Sequence, residues 1–153
     1  MLESLTKKLK QENVAVFIDG PNTFRKQFDI DLDELREDME VLGSIRIAKV
    51  FLDQYASEKL IEAVSSQGFE PLLGLGQEKS SESDVDVYMA VHAMEAVYNS
   101  DIDRIVLVTR DADFLPVLQE AKEKGKETIV MGVKDGFSTA LRNAADKVIF
   151  IGD

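Results

Sequence analysis

Asp111 and Asp113 carry the strongest chemical signal in this chain of 153 residues. They follow the run Ile105-Val106-Leu107-Val108 and then Thr109-Arg110, and a new apolar pattern begins at Phe114. Asp19 ends another apolar run, Val14 to Ile18, and is followed by Gly20-Pro21-Asn22. Asp84 and Asp86 open a third stretch with many apolar positions. If these segments meet, several carboxylates share one crevice, and their repulsion must be relieved by protons or cations. A hydrated Mg²⁺ or Mn²⁺ does this and keeps positions open for water and phosphate oxygens. One or two such ions activate water for in-line attack on a phosphodiester and stabilise the leaving oxygen.

Each acid also has a plain role. Asp84 is a natural N-cap for its helix, as is Asp111 or Asp113 for the next one. Asp86, in a first helical turn, would meet a favourable helix dipole, and Asp19 alone could serve the turn. Their joint placement at strand and helix ends is what argues for a site. Asn22 is either a turn residue or a group that orients phosphate or water on a metal. Thr109 either holds Asp111 in place or finishes its strand. Lys79, Arg25, Arg110 and Arg142 are candidate phosphate contacts, although scattered cations are usually plain surface. His92, alone of its type, is read as a structural histidine rather than a base.

The elements that must position these groups follow from periodicity. Val14 to Ile18, Ile45 to Leu52, Phe69 to Leu75, Ile105 to Thr109, Glu127 to Val133 and Val148 to Ile151 read as strands. Several are apolar throughout, as strands buried on both faces are. Helical patterns lie between them. One covers Thr23 to Leu42 with an interruption around Asp29-Ile30-Asp31, its acids forming a solvated face. Gly43 is a plausible C-cap for it. Others span Ser57 to Gln67, Val85 to Tyr98, Phe114 to Lys124 and Ser138 to Ala144, and the polar segment 76–84 reads as a loop. Strict alternation of strand and helix predicts an α/β fold, a central parallel sheet with helices on both faces. Acids at the carboxyl ends of its central strands then sit where such sheets bind ligands.

Composition narrows the chemistry. With 44% hydrophobic and 31% charged residues the chain reads as an ordinary globular protein with one core. No apolar run reaches roughly 18 residues, so no membrane span is expected. The first residues lack the apolar centre of a signal peptide, and the cytoplasm is the default compartment. Leu2, Leu5 and Leu9 predict an amphipathic leader helix over 1–12, ahead of a single domain over 13–153. Cysteine is absent and histidine occurs once, so a metal here must be held by oxygens. The net charge of −11 opposes a broad electrostatic footprint for nucleic acid. A basic protein partner would suit it, and a homo-oligomer is a further expectation.

The segments VFIDGPN (16–22), SDVDVYMAV (83–91), IVLVTRDADFLPVL (105–118) and GFSTALRNAADKVIFI (136–151) resemble the NYN domain, the LabA-like branch of the PIN-like nucleases. The resemblance runs from Val14 to Ile151, and TRDADF is its most specific part. It implies a PIN-like three-layer sandwich and a Mg²⁺- or Mn²⁺-dependent endoribonuclease acting on RNA, expected to be single-stranded. Asp19, Asp86, Asp111 and Asp113 would form the acidic set, catalytic and metal-binding. Asn22, Arg110 and Lys79 would face the substrate. Arg110 stands where a glycine is common, and His92 where many relatives carry another aspartate. A non-catalytic regulatory module of the same fold is the alternative, and a small-molecule phosphohydrolase comes third.

Overall fold

Val14 to Ile18 are apolar without a break, and the chain sets them in the middle of a sheet as β1 (Asn13–Asp19). In this computed structural model residues 11–74 and 81–152 are described, 81–84 by backbone alone. The expected leader helix, but for its last two residues, and Lys79 lie outside them. After β1 come α1 (Gly20–Thr23), a 3-10 turn (Lys26–Phe28), α2 (Leu32–Glu40) and β2 (Ser44–Leu52). Next are α3 (Glu58–Ser66), β3 (Glu70–Leu73), α4 (Ser81–Val97) and β4 (Arg104–Val108). A second 3-10 turn (Ala112–Phe114), α5 (Leu115–Glu123), β5 (Glu127–Gly132), α6 (Thr139–Ala144) and β6 (Lys147–Phe150) are the last elements among the described residues.

The six strands lie in the order β3-β2-β1-β4-β5-β6, every neighbouring pair parallel. The chain winds outward from β1 in one direction, then returns to β4 and winds outward in the other. The expected α/β architecture is therefore present, and the winding reverses between β1 and β4. In parallel sheets of this kind the binding crevice lies at that switch point, beyond the carboxyl ends of the two strands.

Side chains alternate across the sheet and build two apolar layers. Val14, Val16 and Ile18 of β1 pack with Leu35 and Met39 of α2 and Val64 of α3. Ala15 and Phe17 turn to the other face, against Met89 and Ala93 of α4, Leu118 of α5 and Leu141 of α6. Each large buried side chain, such as Phe17, Leu107 or Met89, contributes about 1.5–3 kcal/mol by leaving water. This double layer holds the ends of β1 and β4 rigidly in register, Val16 opposite Val106 and Ile18 opposite Val108.

Three local expectations change. First, α4 begins at Ser81, so residues 81–84 are helical rather than loop. Small polar and acidic residues suit a first helical turn as well as a loop, and composition does not separate the two. Asp84 therefore lies inside the helix instead of capping it, and Asp86 lies beyond its first turn. Second, the expected interruption falls at Asp29, whose φ is 45°, but the stretch before it is split again, into the short α1 and a 3-10 turn. The piece after it, α2, is capped by Asp31, which accepts from the backbone N–H of Asp33 at 2.9 Å and of Glu34 at 3.3 Å. Third, Gly43 is not the C-cap, because α2 ends at Glu40 with Val41 in that role. A Cβ at Gly43 would sit 2.5 Å from the Glu12 carbonyl oxygen, so its need is for close approach to the chain leading into β1. No helix among the described residues is long and apolar enough to cross a membrane.

Candidate metal centre

Asp19 is the last residue of β1 and is 2% exposed. Its carboxylate caps α1 by accepting from the Asn22 backbone N–H at 3.3 Å. The fully buried hydroxyl of Thr109 donates to the other oxygen, Oδ2, at 3.0 Å. The same hydroxyl accepts from the Asp111 backbone N–H at 3.1 Å. Thr109 thus ties the acid after β1 to the acid after β4, serving as more than the end of its strand.

Asp111 caps the 3-10 turn that follows it, its Oδ1 accepting from the Asp113 backbone N–H at 2.9 Å. That leaves Oδ2 for other work. Asn22 bridges the same two loops from the far side, its Oδ1 accepting from the Arg110 backbone N–H at 3.2 Å. Asp86 arrives from α4. One carboxylate oxygen from each of Asp19, Asp86 and Asp111 can be chosen so that all three lie within 4.8 Å of one another. Three chain segments far apart in sequence therefore do converge at the crevice.

This crowding has an electrostatic signature. The Asp86 carboxyl is pushed up from 3.8 to about 9, first by its burial, then by the charge of Asp19 and a hydrogen bond to Asp111. The charges of Asp111 and Asp113 add to the effect. A divalent cation would relieve the repulsion that otherwise holds a proton on Asp86. Carboxylate oxygens alone form the donor set, which fits a hard ion such as Mg²⁺ or Mn²⁺.

The other expected residues fall in different places. Asp113 is exposed and stands outside the three-oxygen set, close enough for its charge to reach Asp86. Arg110 has its backbone at the site, but its guanidinium lies 4.5 Å from the centroid of the Phe28 ring and donates to the Asp135 carbonyl. Arg25 donates through Nε to the Pro21 carbonyl at 3.3 Å. His92 packs edge-to-face on Tyr88 and against Phe51, with Nδ1 2.9 Å from Lys49 Nζ. The sequence reading gave no site role to the loop 134–138, which is bound to the segment carrying Arg110 and Asp111. Ser138 donates its backbone N–H to the Arg110 carbonyl at 3.1 Å. No residue type in that loop marks it in advance.

Fold and site together define an α/β domain that gathers aspartates at the topological switch point of a parallel sheet. The NYN domain matches residues 13–152, and the chain belongs to that family. Its sequence is 54% identical over 160 residues to an uncharacterized protein of Methanocaldococcus jannaschii. That match covers 99% of this chain and 64% of the relative, so the chain spans less than two thirds of the relative's length. A crystal structure of a protein of unknown function from Vibrio parahaemolyticus has the same fold, with a TM-score of 0.82 at 23% identity. It covers 94% of both chains.

Proposed function

We propose that this NYN domain is a Mg²⁺- or Mn²⁺-dependent endoribonuclease of the LabA-like, PIN-like kind, hydrolysing single-stranded RNA in the cytoplasm. The observation that carries this reading is the convergence of Asp19, Asp86 and Asp111 within 4.8 Å. These three would hold the ion. When bound, it would supply a Lewis acid for the phosphodiester and lower the pKa of attacking water.

The chain's own residues do the rest. Thr109 and the α1 cap fix the Asp19 carboxylate. The 3-10 turn fixes Oδ1 of Asp111, and its carboxylate would offer one oxygen to the ion. Asn22 keeps the two loops in register. Asp113, exposed and near enough for its charge to reach Asp86, would orient water or accept a proton from it.

The test is cleavage of a labelled single-stranded RNA in Mn²⁺ by the native protein and by Asp111→Asn. Metal-dependent cleavage that falls about a hundredfold or more in the variant, with the fold retained, is the expected result. Equal cleavage by both forms would point to a contaminant. Calorimetric Mn²⁺ binding without cleavage of any RNA would support the non-catalytic regulatory module instead.

A further inference from the structure

Beyond the acids, the carboxyl edge of the sheet carries a second group of side chains. Phe150, the last residue of β6, is 39% exposed although it is a large apolar ring. Phe137 packs edge-to-face against it, with centroids 5.5 Å apart and planes at 86°. Two exposed cations flank the same ring, Lys134 with Nζ 5.9 Å and Arg142 with its guanidinium carbon 5.6 Å from the centroid. In a chain of net charge −11, this is a local reversal of sign around a partly exposed aromatic ring.

The group is rigidly joined to the acidic cluster. Gly132 lets Phe137 lie against the end of β5, since a Cβ there would sit 2.9 Å from the Phe137 ring and 2.8 Å from the Thr109 carbonyl oxygen. Arg110, the neighbour of Asp111, binds the Asp135 carbonyl, and its own carbonyl accepts from Ser138. Since β6 is two strands from β4, the platform stands about 10 Å across the sheet from the end of β4, which borders the crevice.

We propose that Phe150, Phe137, Lys134 and Arg142 form a docking subsite for single-stranded RNA, a few nucleotides from the bond cut at the aspartates. A base stacks on the Phe150 ring, and Lys134 and Arg142 turn to the phosphates on either side. Exposed cation–π contacts are weak and exchange readily for a phosphate. Every base has a π-face, so such a platform tolerates any sequence. It also answers how an acidic protein holds an anionic strand, with attraction concentrated at one place beside the cluster. The subsite rests on the reading of the chain as an RNA-cleaving enzyme, yet its binding can be measured without cleavage.

The experiment has two arms. In the first, a labelled oligouridine is titrated in Ca²⁺ and followed by fluorescence anisotropy. Phe150→Ala is expected to weaken binding about tenfold or more, and Phe150→Trp to keep it. Lys134→Glu with Arg142→Glu should weaken binding and flatten the salt dependence by about 0.7 for each phosphate no longer neutralised. In the second, hydrolysis of bis(p-nitrophenyl) phosphate, a diester without bases, is followed in Mn²⁺. Phe150→Ala should leave it unchanged. Loss of RNA affinity with no diesterase in any form would keep the subsite and defeat the nuclease reading. Intact diesterase with RNA affinity indifferent to Phe150 would overturn the subsite, as would equal binding of poly-glutamate.

Discussion

Asp86 is the residue on which the electrostatics of the site turn. In the folded chain it keeps its proton up to about pH 9, whereas its ordinary value is 3.8. Folding therefore binds a proton across that window. The carboxyl's contribution to stability is complete below 3.8 and is lost as pH climbs towards 9. The metal-free protein should show a falling urea midpoint over this range, and Asp86→Asn should remove most of the slope. Metal binding must displace the proton, so Mn²⁺ affinity should rise with pH, with up to about one proton released per ion. Calorimetry in buffers of different ionisation enthalpy measures that release. Thr109 matters for a different reason, because its hydroxyl serves two acids at once. Thr109→Val removes the hydroxyl donor to Oδ2 of the buried Asp19 and the acceptor for the Asp111 N–H, and is expected to cost about 1.5–3 kcal/mol by urea denaturation. Weaker Mn²⁺ binding should accompany it. Arg110 braces Phe28 and the 134–138 loop. Arg110→Ala should therefore lower stability by about 1–2 kcal/mol rather than abolish cleavage.

At the scale of elements, the short α1 is the piece that aims Asp19. It begins directly after the strand and lies tight against β2. A Cβ on Gly20 would sit 2.4 Å from the Phe51 carbonyl oxygen and 2.5 Å from Leu52 Cδ2. The leucine methyl can rotate aside, but the backbone oxygen of a central strand cannot. Gly20→Ala should therefore destabilise by about 1–3 kcal/mol, read from a denaturant midpoint. It should also lower metal affinity, because Asp19 and the Asn22 bridge move with α1. The early start of α4 works in the same direction. A helix running from Ser81 holds Asp86 within regular backbone, where a residue at a frayed end would be free to drift.

For the whole molecule the governing quantity is charge. With 29 acidic and 18 basic residues, the surface repels a polyanion over most of its area. RNA affinity in chelator should be weak and should rise when Mg²⁺ or Mn²⁺ is added, as filter binding would show. Tight binding in chelator would mean that the cations around Phe150, or a basic partner, outweigh the cluster. A second copy of the chain or a basic protein would also change this balance.

The sequence by itself determined the strands, since apolar runs such as Val14 to Ile18 and Ile105 to Val108 suit only a sheet covered on both faces. It also determined the oxygen-only ligand chemistry, through the absence of cysteine and the single histidine. Asp19 and Asp111 were legible because each follows an apolar strand, and Asp86 because it stands where an apolar helical pattern begins in the sequence, and periodicity is a local property. Tertiary structure alone decided which acids converge. Asp113, two residues from Asp111, stays exposed outside the three-oxygen set, and Asp84 is absorbed into a helix. It alone turned Arg110 towards Phe28 and set two cations around Phe150. The reason is register. Thr109 meets Asp19 across 90 residues of chain, and contacts of that kind depend on how strands align and layers pack, which no local spacing encodes.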